Sequence, residues 1–254
     1  MYTIREIYEI LNTISPFELQ AKWDNSGLNV GSLESCFQHL YIALEIDWQV
    51  IDSMQQDSLL ITHHPLIFKP LQNFQINSYP CNLIAACIKK NIAVISMHTN
   101  FDITHLNQAF ATKLELEKLG FAHTQTQDFS IIYMHKKQEQ TSIESLAHSL
   151  KKTLNISFLR YSKATDFINN IYLTCGSNAS SYIIANKNDC IITGDIKYHD
   201  AMIANSLGIN FIEIGHFESE CIFASLVAKI LQKNDIQAII LNSHNPFKYL
   251  GESQ

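Results

Sequence analysis

Short apolar runs alternate with stretches of helical periodicity along this chain, and that alternation constrains its fold more than any other feature. Residues 40–45, 59–62 and 92–97 read as strands, because brief runs of apolar and β-branched residues bounded by turn signals mark buried strands. Residues 48–56 and 83–90 lie between them with helical spacing. Ile4, Ile7, Ile10, Leu11 and Ile14 form an opening amphipathic helix that stops before Pro16. The segment 23–31, rich in Asn, Ser and Gly, reads as an ordered loop. Residues 106–119 continue as a helix closing at Gly120, a residue suited to a left-handed cap. Residues 121–128 lack periodicity and read as a connection. Beyond it, strands are expected at 131–135, 171–175, 190–193, 210–214 and 236–241. Helices are expected at 142–153, from about 180 to 186, at 199–207 and at 219–232. Alternation with short links favours a parallel sheet covered by helices on both faces. The expectation is an α/β protein of two similar lobes, residues 1–125 and 126–254.

Composition excludes several function classes. With 46% hydrophobic residues over 254 positions, the chain can bury a sizeable core. Its formal net charge is -6, and its basic clusters are pairs such as Lys89-Lys90 and Lys151-Lys152. No phosphate-tracking stripe is present, so nucleic acid is not an expected partner. Arg5 and Glu6 carry charge where a signal peptide would be apolar, and no apolar run approaches the roughly 20 residues of a membrane span. A cytoplasmic protein with no membrane partner is expected. The six cysteines show no metal-type spacing and read mostly as buried thiols. Histidine is the outlier, with eleven, several beside acidic residues.

Polar clusters follow four of the expected strands. They are Thr62-His63-His64-Pro65, His98-Thr99-Asn100-Phe101-Asp102, Thr193 to Asp200 (TGDIKYHD) and Gly215-His216-Phe217-Glu218-Ser219-Glu220. Open α/β sheets place their ligands at the carboxyl ends of strands. His216 and Glu220 are four apart, where a helix start brings both onto one face. Glu218 suits the dipole of a helix N-terminus instead. Asp102 is the better ligand of the pair His98 and Asp102, with His98 orienting Asp102 or a bound water. Three imidazoles (His63, His64, His216) and two carboxylates (Asp102, Glu220) exceed one tetrahedral site. They suit two divalent cations about 3.5 to 4 Å apart, bridged by a carboxylate and a water. Zinc, iron, manganese and magnesium all fit such a mixed set. That is a hydrolytic arrangement, with His98 and Glu220 as candidate catalytic residues and His98 or Asp195 moving protons.

The motifs WDNxGLxVG (residues 23–31), ITHHPLxF (61–68), HTNxD (98–102), TGDIxxHD (193–200), GHFxSE (215–220) and NPF (245–247) run through the whole chain in order. Together they resemble the NGG-one-interacting-factor-three-like proteins, whose bacterial members carry the label GTP cyclohydrolase I type 2 homologue. The resemblance implies two similar lobes around a dinuclear metal site, ligated by His63, His64, Asp102, His216 and Glu220. It also implies a toroidal homohexamer, a trimer of dimers. This chain has no large insertion between the lobes, and its loop at Gly176 is poorer in glycine than the family pattern. Two functions compete: a metal-dependent hydrolase acting on a small polar or nucleotide substrate, and a non-catalytic metal-binding or scaffold ring protein. With no P-loop, and only Arg5 and Arg160 as arginines, a triphosphate would have to be held by lysines or the metals.

Overall fold

In a computed structural model, the described residues are 2–114, 117–123, 130–135 and 141–250. Eleven strands occur among them. They are β1 (Gly27–Val30), β2 (His39–Ala43), β3 (Ser58–Thr62), β4 (Ile92–Ser96), β5 (Glu117–His123), β6 (Ser130–His135), β7 (Arg160–Ser162), β8 (Asn170–Leu173), β9 (Cys190–Thr193), β10 (Asn210–Glu213) and β11 (Ile239–Ile240). The main helices are α1 (Ile4–Ile14), α2 (Trp48–Ser53), α3 (Cys81–Lys89), α4 (Thr99–Phe101), α5 (Asn107–Lys113), α6 (Ile143–Leu154), α7 (Tyr198–Ser206), α8 (His216–Glu220) and α9 (Phe223–Gln232). None is long and apolar enough to cross a membrane. The chain is mixed α/β and divides into two compact units. One comprises Met1–Thr104 and Cys221–Ser243, the other His105–Glu220 and His244–Gln254. This division differs from a single cut near residue 125, because α9 and β11 return to the first unit.

The first unit holds a five-stranded sheet in the order β1-β4-β3-β2-β11. β2, β3 and β4 are parallel neighbours, with Thr62 opposite Ser96 at the carboxyl end. Every residue of β3 and β4 is buried, which is why both read as unbroken apolar runs. Leu60, Val94, Ile51, Leu83 and Cys87 form one core cluster between this sheet and helices α2 and α3. Thr3 and Glu6 make a reciprocal capping box at the start of α1, satisfying amide donors that would otherwise lack partners. Asp47 caps α2 by accepting from the Val50 amide at 2.7 Å.

The second unit holds a six-stranded sheet in the order β5-β6-β8-β9-β10-β7. β8, β9 and β10 are parallel, whereas β5, β6 and β7 are antiparallel additions. Phe211, Ile191, Tyr172, Ala204 and Ile209 build its core against α7.

Several expectations need correction. The segment 23–31 contains strand β1, which pairs antiparallel with β4 and covers that sheet edge. The helix expected over 106–119 ends at Lys113, and residues 117–123 pair with β6 instead. Ladder pairing overrides helical spacing there. Of the connection expected at 121–128, residues 121–123 belong to β5, and 124–128 lie outside the described residues. The helix expected before 186 is only a 3-10 turn, Ala179–Ile183. The helix expected over 219–232 is two, broken after Glu220. The strand expected over 236–241 shortens to two residues and joins β2 of the first unit. β7, an edge strand of three residues with no apolar run, escaped the sequence pattern altogether.

Leu60 is fully buried within the first core cluster, so its truncation leaves a cavity that neighbouring strands cannot close. Leu60→Ala is expected to destabilise the protein by about 2 to 5 kcal/mol, read from urea unfolding midpoints at unchanged slope.

Candidate metal centre

In the first unit the site grows from the carboxyl ends of two adjacent parallel strands. Thr62 closes β3 and Ser96 closes β4, and their hydroxyls lie 2.9 Å apart. The Met97 amide then donates to the Thr62 carbonyl at 2.8 Å, extending the register by one step. His63 and His64 therefore leave one strand beside the point where His98 leaves its neighbour. The ring centroids of the three lie 4.9 Å (His63–His64), 5.1 Å (His63–His98) and 5.2 Å (His64–His98) apart. Their ring nitrogens are close enough to share a metal ion.

Each of these imidazoles is fixed at its Nδ1 by an oxygen. His63 Nδ1–H donates to the Met97 carbonyl at 2.8 Å, a bond that sets the tautomer because a carbonyl only accepts. His64 Nδ1 bonds the Glu45 carboxylate. His98 Nδ1 bonds Asp24 Oδ1 at 2.7 Å. Each such bond fixes the ring plane and turns Nε2 away from the anchor, the orientation in which metal-ligating histidines are held. His63 Nε2 then faces Asp102 Oδ1 at 3.5 Å. That approach is favourable with positive charge between the two atoms, which a proton on Nε2 or a divalent cation would supply. Asp102 begins a π-helical turn, Asp102–Leu106, of the kind that re-aims side chains at functional sites. Phe223 of α9 packs on the His63 ring at 4.9 Å and on Phe101 at 5.2 Å.

The second unit repeats the device at the ends of β9 and β10. His216 Nδ1 bonds Asp195 Oδ2 at 2.6 Å, and its Nε2 faces Glu220 Oε2 at 3.2 Å. Ser219 Oγ donates to the His216 carbonyl at 2.7 Å and accepts from the Gly176 amide at 3.0 Å, locking the short α8. Gly176, with φ at +62°, must be glycine, since a Cβ there would stand 2.5 Å from Glu220 Oε1. A Cβ on Gly194 would stand 2.8 Å from the His216 Cα. Two glycines thus clear the space that the His216 and Glu220 pair occupies. Asn245 of the NPF motif holds Glu218 at 2.8 Å.

A model of the Duf34/NIF3 (NGG1p interacting factor 3) family matches residues 2–246. The chain belongs to the Duf34/NIF3 family. It is 43% identical over 250 residues to a Helicobacter pylori protein named GTP cyclohydrolase 1 type 2, covering 98% of this chain and 100% of that one. A Campylobacter jejuni protein named GTP cyclohydrolase 1 type 2 homolog is 39% identical over 246 residues, covering 97% and 99%. The fold matches that of Staphylococcus aureus protein SA1388 with a TM-score of 0.81 at 23% identity, covering 98% and 99%. It matches a Bacillus cereus protein related to NIF3 equally well, at 0.81 and 18% identity, again covering 98% and 99%.

Among the expected site residues, this NIF3-family chain groups His63, His64, His98 and Asp102 in its first unit. It groups Asp195, His216 and Glu220 in its second. His98 is oriented by Asp24, whereas Asp102 faces His63. His199 is exposed beside Tyr198 at the start of α7, and no group of described residues able to share an ion includes it. Asp24 and Glu45 were not singled out by the sequence reading, although Asp24 lies in the WDN motif. Only pairing across strands reveals their roles.

The buried Asp24 carboxylate is a structural hub. Its Oδ2 accepts from the Thr99 amide at 3.0 Å, the Thr99 hydroxyl and the Ser26 hydroxyl at 3.1 Å. Burial alone would raise its carboxyl pKa, but hydrogen bonds and charge from His98, with the Thr99 bonds, outweigh that and hold it well below the ordinary carboxylate range. A depressed carboxyl stabilises the folded state above its unfolded value near 3.8, and that stability is lost as pH falls toward the folded value. In metal-free protein, Asp24→Asn is expected to cost about 1.5 to 3 kcal/mol at pH 7. The gap to the parent should narrow as pH drops below about 4, measured by denaturant unfolding at matched pH.

Proposed function

We propose that this chain holds two divalent cations through His63, His64, Asp102, His216 and Glu220, and hydrolyses a small polar or nucleotide substrate there. The observation that carries this reading is the tethering of His63, His64 and His216 at Nδ1, the orientation in which a metal-ligating imidazole coordinates through Nε2. The mixed nitrogen and oxygen donor set fits zinc, iron, manganese or magnesium.

When bound, the cations would supply Lewis acidity and bring the pKa of a water toward about 7. The chain's own residues do the rest. Glu45 and the Met97 carbonyl orient His64 and His63, and Asp195 orients His216. Glu220 sits at the end of α8 with its backbone fixed through Ser219. His98, held by Asp24, presents Nε2 as the proton acceptor or donor for the reacting group. GTP is the first substrate to test, because the 43% identical relative bears the name GTP cyclohydrolase 1 type 2. The family resemblance also supports a homohexamer, which light scattering of the purified protein would read directly.

Elemental analysis of the purified protein should give about two ions per chain, and Asp102→Ala should lose at least one while remaining folded by circular dichroism. Turnover of GTP or of a simple phosphoester should require the ions and fall at least 100-fold in Glu220→Ala. Full metal content with no turnover across nucleotides, phosphoesters and cyclic amides would overturn the hydrolase and favour a non-catalytic metal-handling role. An ion-free protein that cannot be loaded would overturn both.

A further inference from the structure

The WDN motif and the ITHHPLxF motif meet in a way the metal centre alone does not require. Asn25 Nδ2 donates to the Ile67 carbonyl at 2.6 Å, and the Ile67 amide donates to Asn29 Oδ1 at 3.1 Å. Both backbone polar groups of Ile67 are thereby clamped from the segment 25–29, immediately before Phe68. The result is an aromatic corner. Trp23 and Phe68 meet edge to face, with centroids 5.8 Å apart at 61°. Each also stands edge to face against His98, at 6.0 Å and 73° for Trp23 and at 6.1 Å and 77° for Phe68.

Both large rings remain open to solvent, Trp23 at 51% and Phe68 at 43% exposure. An apolar ring that only filled the core would be covered, and exposed rings held rigidly at a polar centre mark a binding surface. Phe68 also lines a cavity of about 380 Å³ formed with Leu66, Leu71 and Tyr79, whose polar wall carries Lys69 and Asn73. That volume lies in the range of small-molecule sites, roughly 300 to 1,000 Å³. Its first lining residue, Leu66, comes two positions after His64 in the chain, and Phe68 links the cavity to the aromatic corner.

We propose that Trp23 and Phe68 are specificity-determining residues that stack a planar heteroaromatic ring of nucleobase type beside His98, with the cavity at Phe68 taking the rest of the molecule. This rests on the reading of His63, His64 and Asp102 as a metal centre and deepens it by naming the substrate class. Stacking on aromatic side chains tolerates any base, because every base has a π-face. Lys69 at the cavity wall suits an anionic substituent on that ring system. Neither Trp23 nor Phe68 is a metal ligand, so ring binding and metal binding are separable.

Trp48 is the only other tryptophan, and it lies on α2 outside this corner. In a Trp48→Phe background, fluorescence reports Trp23 alone. Guanosine should quench it saturably, whereas ribose 5-phosphate, which has no aromatic ring, should leave it unchanged. By equilibrium dialysis, Trp23→Leu and Phe68→Leu should each weaken guanosine binding by about 5- to 100-fold. Trp23→Phe should recover most of the loss, and metal content by elemental analysis should match the parent throughout. Undetectable guanosine binding, equal binding of ribose 5-phosphate, or an unchanged affinity in both leucine variants would overturn the proposal. Metal-loaded protein that ignores guanosine sinks this inference alone. Guanosine binding by a protein that takes no metal sinks the metal centre instead.

Discussion

Everything at the candidate centre depends on an imidazole having two ring nitrogens, one to anchor and one to aim. Met97, Glu45, Asp24 and Asp195 take the Nδ1 side of His63, His64, His98 and His216, so Nε2 is aimed before any ligand arrives. The cost is electrostatic. Nε2 of His63 and of His216 faces the carboxylates of Asp102 and Glu220 at 3.5 and 3.2 Å, an arrangement that a cation would stabilise. The two units solve the same problem alike, placing candidate ligands where adjacent parallel strands end: β3 beside β4, and β9 beside β10.

The loops that leave those strands are held by polar side chains rather than by apolar packing. Asp24 alone joins His98, Thr99 and Ser26, while Asn25 and Asn29 grip the backbone carbonyl and amide of Ile67. Ser243 accepts from the Leu44 and Glu45 amides at 3.1 and 3.2 Å, steadying the residue that orients His64. In the second unit the equivalent work falls to backbone geometry. Gly176 and Gly194 leave room for a carboxylate and a helix start that any Cβ would strike. Exposed Trp23 and Phe68 complete the setting, since a rigid polar centre gains selectivity from the apolar faces around it.

Legibility varied with how local the cause was. β3 and β4 were readable because burial on both faces writes an unbroken apolar run into the sequence. α1 was readable because its stripe of Ile4, Ile7 and Leu11 sits behind a capping box. β5 was not, since residues 117–119 continue a helical spacing, 121–123 show no period, and only pairing with β6 joins them into one strand. β7 and β11 are edge strands of three and two residues, too short to carry a period. The division into units was hidden for a related reason. Contacts made by α9 and β11 return the end of the chain to the first sheet, and no composition shift marks that return.

By itself the sequence determined the α/β class, the strand-end position of each candidate ligand, and the family, because periodicity and motif order are properties of the chain read in one dimension. Tertiary structure alone decided which oxygen orients which imidazole, that Asp24 serves His98 while Asp102 faces His63, and that Trp23 and Phe68 share a corner. Those pairings join residues 19 to 74 positions apart, from His64 with Glu45 to His98 with Asp24. Spacing along a chain carries no record of a neighbour supplied by the next strand.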